Sequence, residues 1–202
     1  IRWSRVRVSP DPPNMQFLRF NRLPMNQLSD PRITTLLVTF NSAHCIESLA
    51  SRLPKHLPVI VVDNASEDDT VSNVQQFLPH ATLIINNNNV GFGGANNIGI
   101  AQANTSHVLL LNPDCLPDPT LYEQLAAAID SFPEAAIIAP QIIRRDGSLE
   151  VSYRFPKTHW KSLGQGAEGP CCVGFASGAA LLLNKKTMFE VGYFDENFFW
   201  PL

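Results

Sequence analysis

Three short polar clusters hold the residues of this chain that could do chemistry. Asp63-Asn64 is the first. Residues 86–97 read Asn-Asn-Asn-Asn-Val-Gly-Phe-Gly-Gly-Ala-Asn-Asn and carry Gly91, Gly93, Gly94 and Asn97. Asn112-Pro113-Asp114 is the third. Glycines after an apolar run let a ligand approach the main chain, and the free N–H groups of a following helix favour an anion such as a diphosphate. Asp114 could hold a hard cation, Mg2+ or Mn2+, through oxygen, with phosphate and water completing the shell. Asp63 could accept hydrogen bonds from a base or ribose. Each cluster alone is also a good turn. Together they suit a nucleoside diphosphate and a divalent ion.

The elements that must position them follow from the apolar pattern. Residues 33–40 and 58–62 are continuous apolar, β-branched runs, which predicts strands buried on both faces. Residues 81–85 and 107–111 predict two more strands, and 135–139 a fifth. Helices are expected between them: from the Asn41-Ser42 cap with Cys45, Ile46, Leu49 and Leu53 inward, over about 68–78 behind a Ser66/Asp69 capping box, over 96–103 after a glycine turn, and from Pro119 to about Phe132. This alternation predicts an α/β fold with a mostly parallel sheet flanked by helices. Ligands of such sheets bind beyond the carboxyl ends of the strands. All three polar clusters fall there.

The second half reads differently. Asp146-Gly147 lies between two short alternating runs, a hairpin signal that predicts a small antiparallel element. Residues 157–169 read as loop, 175–183 as a strand with a small-residue start, and 185–191 as a short helix. Residues 1–31 hold Arg2, Arg5, Arg7, Arg19 and Arg22 among five prolines and read as an irregular basic, Pro-rich leader. Residues 32–202 then form the one folded domain.

Composition narrows the function classes. The chain has 202 residues, 45% hydrophobic and 16% charged, with a net charge of −3. That is globular, with no bulk pull toward nucleic acid or an anionic membrane. Cys45, Cys115, Cys171 and Cys172 form no C-x-x-C pair, so a reduced, cytoplasmic setting is expected. No apolar run reaches the roughly 18–20 residues of a membrane span. A dinucleotide fingerprint needs its glycines directly after the first strand, and here that position reads Asn41-Ser42-Ala43-His44. No P-loop pattern occurs.

Val38-Thr39-Phe40-Asn41-Ser42, Val61-Val62-Asp63-Asn64-Ala65-Ser66, the 89–97 stretch and Leu110-Leu111-Asn112-Pro113-Asp114 resemble the family 2 glycosyltransferases of GT-A fold. Bacterial rhamnosyltransferases of polysaccharide and cell-wall assembly are the subgroup they look like. Ser177-Gly178-Ala179-Ala180 and Gly192-Tyr193-Phe194-Asp195-Glu196-Asn197-Phe198-Phe199 match the later part of that pattern. The resemblance implies a nucleoside-diphosphate sugar as donor, dTDP-rhamnose favoured, and a saccharide or lipid-linked acceptor. Transfer would be an inverting displacement, in the cytoplasm or at the inner face of the cell membrane.

By the same resemblance Asp63 contacts the nucleobase, with Asn64 beside it. Gly91, Gly93, Gly94 and Asn97 shape the nucleotide pocket. Asp114 takes the metal position, with Asn112 in place of the first Asp of the usual Asp-x-Asp. Gly178 and Ala179 line the donor and acceptor pocket with Asn112. The family's catalytic base lies in a Glu-Asp pair after the Phe-Asp-Glu-x-Phe-Phe motif, a position beyond Leu202. The expectation is therefore a donor domain with impaired transfer; the alternative is a catalytically inactive nucleotide-sugar-binding fragment.

Overall fold

The computed structural model describes residues 32–144, 146–150, 153–154 and 170–197. The expectations for residues 1–31 and 157–169 lie outside them. In chain order the elements are β1 (Ile33–Thr39), α1 (Ala43–Ala50), β2 (Val59–Asp63), α2 (Thr70–Phe77), β3 (Thr82–Ile85), α3 (Gly91–Gln102), β4 (His107–Leu111) and α4 (Leu121–Ser131). There follow β5 (Ile137–Ile138), β6 (Ile142–Ile143), β7 (Leu149–Glu150), β8 (Tyr153–Arg154), β9 (Phe175–Ala176), β10 (Ala180–Asn184) and α5 (Lys185–Val191). The main sheet runs in the order β3-β2-β1-β4-β10-β5.

β1 lies at the centre of the parallel part, paired to β2 on one side and β4 on the other. Every residue of β1 and β2 is buried, as continuous apolar runs require. Alternate side chains feed two cores. Ile33, Leu37, Val59, Val61 and Leu109 face α1, α2 and α4 through Ile46, Leu49, Val74, Leu125 and Ile129. Leu36, Val38, Ile60, Val62 and Leu110 face α3 and α5 through Ala95, Ile100 and Met188. The result is the expected sheet between two helical layers.

Three expectations need correction. The 135–139 strand does not extend the parallel ladder. β10 runs antiparallel to both β4 and β5 and separates them. The 175–183 strand breaks at residues 177–179 into β9 and β10, and β9 pairs with β8 instead. Helix α3 starts at Gly91, not after the glycines: Gly91 takes φ 77° and its N–H donates to Asn89 Oδ1 (2.9 Å). Glycine meets that backbone angle without strain, so the turn and the first helical residue coincide. Farther along α3, Gly99 lets the helix lie directly on the sheet, where a Cβ would stand 2.2 Å from Leu36 Cδ1. The hairpin is as expected, β6 against β7, with Gly147 at φ 83°.

Candidate functional site

The carboxyl ends of β1, β2, β3 and β4 share one edge of the sheet. Because β10 is antiparallel, its amino end comes to that same edge: Asn112 N donates to Ala179 O (2.9 Å). The chain leaves β1 toward β2 on one side, while β4 lies on the other. That reversal is the topological switch point at which open α/β sheets form a ligand crevice.

Asp63, the last residue of β2, is fully buried. Its Oδ1 accepts from Thr39 Oγ1 (2.8 Å) and Ser66 Oγ (2.6 Å), and its Oδ2 from Ser66 N (2.9 Å). The carboxylate thus ties the ends of β1 and β2 together and closes the turn in which Ala65 takes φ 63°. Asn64 is buried as well. Its N–H donates to Thr39 O (2.8 Å), its Nδ2 to Gly91 O (3.3 Å), and its Oδ1 accepts from Asn86 Nδ2 (2.8 Å). It fixes the start of α3 against the β2 end.

The helix caps also differ from the sequence expectation. Ser66 is engaged with Asp63, so no Ser66/Asp69 box forms. Asp68 does the capping instead, accepting from Ala43 N (3.1 Å) and Thr70 N (2.9 Å). Asn41, at φ 48°, accepts from Glu67 N through its Oδ1 (2.9 Å). Loops after β1 and β2 are therefore one hydrogen-bonded body.

Gly93 and Gly94 sit in the first turn of α3. A Cβ on Gly93 would stand 3.2 Å from Phe194 Cβ, and one on Gly94 3.3 Å from Val90 Cγ2. Asn97 is not turned toward this edge's crevice by any contact. Its Nδ2 donates to Phe194 O and Glu196 Oε1, both at 2.8 Å, and its Oδ1 accepts from Phe194 N (3.0 Å). Gly178 lies against Phe92, whose Cζ a Cβ there would meet at 3.3 Å. Phe92 in turn packs edge-on to Phe194, ring centroids 6.0 Å apart. Sequence reasoning missed Thr39, Ser66, Asn86, Phe92 and Phe194. The Thr39 and Ser66 hydroxyls flanking a strand-end carboxylate were the legible signal.

Asp114 differs from all of these. It is exposed, and among the described residues its one hydrogen bond is a thiol contact from Cys115 Sγ at 3.7 Å. Its charge is felt by two neighbours. Burial first, then the Asp114 carboxylate, pushes the Cys115 thiol up to about 12 and raises the Cys45 thiol of α1. Asp114, at the β4 end, therefore lies within electrostatic reach of α1. No group of three His, Cys, Asp or Glu that could hold a metal occurs among the described residues. The donor set fits a cation held jointly by Asp114, a ligand diphosphate and water, and not one caged by protein alone.

Residues 36–187 match the family model described as Glycosyl transferase family 2. This chain belongs to that family. Among curated proteins it is similar to an N-acetylglucosaminyl-diphospho-decaprenol L-rhamnosyltransferase of two Mycobacterium tuberculosis strains, 29% identical over 185 residues, covering 75% of this chain. The chain spans 59% of the length of those relatives. Its fold is shared with the mannosyltransferase PcManGT of Pyrobaculum calidifontis, solved with GDP-Man and Mn2+, at TM-score 0.59 and 22% identity over 83% of this chain and 48% of that one. S. aureus TarS 1-349 matches at TM-score 0.58 and 20% identity, over 84% of this chain and 52% of that one. No helix among the described residues is long and apolar enough to cross a membrane.

Proposed function

We propose that this family 2 glycosyltransferase domain binds a nucleoside-diphosphate sugar in the crevice between the ends of β1 and β4. The sugar passes to a hydroxyl of a saccharide or lipid-linked acceptor. One observation carries the reading. Asp63, Asn64, Asn86 and Asp68 are engaged with one another's loops, while Asp114 stands exposed and nearly uncommitted at the same edge. A carboxylate left free beside a rigid polar frame is poised for a ligand. The name of the mycobacterial relatives supports a rhamnosyl donor and a lipid-linked acceptor; within this proposal the donor is dTDP-rhamnose and transfer takes place in the cytoplasm or at the inner face of the membrane.

In this reading the ends of β1 and β2 and the first turn of α3 hold the nucleotide. Asp63 serves it mainly through the turn it closes; a direct contact with the base requires Ser66 to yield one of its two bonds. Gly91, Gly93 and Gly94 let the nucleotide approach the main chain. Asp114 and Asn112 lie where the diphosphate meets the sugar, and Gly178 and Ala179 leave room on the far side. Asp114 would hold a divalent ion together with the diphosphate, and that ion would supply positive charge for the leaving group. The acceptor hydroxyl attacks the anomeric carbon from the face opposite the leaving group, which inverts the configuration, and its proton passes to a base that the described residues do not identify. Asp195 and Glu196 are engaged in a turn and with Asn97.

Thermal unfolding with UDP, GDP and dTDP, each with and without Mn2+, tests the donor site. A nucleotide at 100 times its dissociation constant adds about 2.7 kcal/mol, roughly 5–10 °C here. The expected result is a Mn2+-dependent shift with one nucleotide, lost in Asp114→Ala. A cooperative melt that no nucleotide moves would refute the reading. Transfer of radiolabelled sugar then separates an enzyme from a binding module.

A further inference from the structure

We infer that Asn97 is a positioning residue: it couples the placement of residues 194–196 to occupancy of the nucleotide side of α3. The inference rests on the donor reading above and extends it. Among the described residues, every hydrogen bond that the 192–197 segment makes outside itself runs to Asn97. One side chain thus holds the backbone N–H and C=O of Phe194 and the carboxylate of Glu196. The apolar contacts go to the same short stretch of helix. Phe92 meets the Phe194 ring, and Gly93 leaves room for the Phe194 Cβ.

Asn97 lies within the first two turns of α3, whose opening residue is pinned by Asn64 and Asn89. Phe92 also walls Gly178, beside the Asn112–Ala179 contact at the ends of β4 and β10. The nucleotide side, the sugar side and the 194–196 segment therefore share a single packed unit. A ligand that fixes the start of α3 fixes the partner of the segment. By reciprocity, loosening the segment weakens the ligand by the same factor. The segment carries Asp195 and Glu196.

The test uses the 202-residue chain with UDP, GDP or dTDP plus Mn2+, whichever binds. Calorimetry gives the dissociation constant, and hydrogen exchange reads the 193–197 amides with β1 amides as reference. In the parent chain the nucleotide should slow exchange of the Phe194 amide about tenfold. Asn97→Ala should abolish that slowing and weaken nucleotide binding about fivefold to tenfold. Asn97→Asp should do the same, because it loses the Nδ2 donor and sets a second carboxylate against Glu196. Adding Glu196→Gln removes the carboxylate pair and restores one donor–acceptor contact with reversed polarity, while the Phe194 carbonyl stays without its donor, so part of the lost affinity should return.

A mere tether behaves otherwise. If Asn97→Ala speeds exchange equally with and without nucleotide and leaves the dissociation constant unchanged, the coupling is wrong. Should Asn97→Ala fail to melt cooperatively, the Asn97→Asp pair decides, and no recovery on adding Glu196→Gln overturns the inference. If the parent chain binds none of the three nucleotides, the donor reading itself fails and takes this inference with it.

Discussion

The two halves of the described chain are built to different standards. From β1 to β4 the strands are 7, 5, 4 and 5 residues long, and the loops after β1 and β2 are closed by the buried Asp63 and Asn64 side chains. From β5 to β9 every strand has 2 residues, and the two most exposed large apolar side chains among the described residues, Phe189 at 75% and Ile143 at 62%, lie in this half. β10 is the exception, ordered because it lies between β4 and β5. A diphosphate demands fixed donors at fixed spacing, whereas an acceptor side adapts by changing loops on the same frame. The contrast places rigidity where the donor would bind.

The comparison breaks first if the Asp63 tie proves dispensable. Asp63→Ala strands the buried Thr39 hydroxyl and takes the acceptor from the part-buried Ser66 hydroxyl and backbone N–H. An unsatisfied buried donor costs about 1–3 kcal/mol and the part-buried pair adds less, so roughly 2–4 kcal/mol should be lost. Urea denaturation measures this. A loss below about 1 kcal/mol would mean that the loops after β1 and β2 stand without it.

Tyr122 of α4 tests the frame by pH. Its hydroxyl is buried against β1 and shares a 2.7 Å hydrogen bond with Thr35. Burial, opposed by that bond, pushes it from 10.0 up to about 12. Between those values the unfolded chain loses its proton first. Stability fully present below pH 10 is therefore lost as pH rises through 12, by roughly 2–3 kcal/mol. Tyr122→Phe should flatten that alkaline limb while costing about 1 kcal/mol at pH 7 for the stranded Thr35 hydroxyl. Parallel slopes in urea midpoint from pH 9.5 to 11.5 would contradict it.

Gly99→Ala probes how closely α3 lies on the frame. The added Cβ meets Leu36 Cδ1 at 2.2 Å and Cδ2 at 2.6 Å, and Leu36 is itself 1% exposed with little room to yield. Overpacking of this kind costs about 1–3 kcal/mol. A neutral result by denaturation would show that the helix can lift from the sheet.

Legibility in the sequence follows the same division. β1, β2 and β4 were readable because burial on both faces leaves an unbroken apolar run. The direction of β10 was not: Leu181, Leu182 and Leu183 suit a parallel or antiparallel neighbour equally, and only pairing with β4 decides. The polar clusters were correctly set at one edge, but their partners were not visible. Asn97 looked like part of the glycine turn, and its partner Phe194 stands 97 residues away. Gly91 looked like a turn because glycine signals a turn; the Asn89 side chain makes it the start of a helix. Asp63 and Asp114 read alike as strand-end carboxylates. Thr39 and Ser66 bury one, while the other keeps solvent, and that difference exists only in three dimensions.

The smallest effect is expected on α5. Phe189 is 75% exposed, whereas the adjacent Met188 is 5% exposed and packs in the core under β10. Folding withdraws little of the Phe189 ring from water, so Phe189→Ser forfeits little transfer free energy and opens no cavity. The change should fall within about 0.5 kcal/mol in urea denaturation. It should also lower self-association in light scattering, since it removes a large exposed apolar ring. A loss above about 1 kcal/mol would mean that the ring has a packed partner in this chain. The second half would then be as tightly built as the first, and the proposed division between a rigid donor frame and an adaptable acceptor side would lose its physical basis.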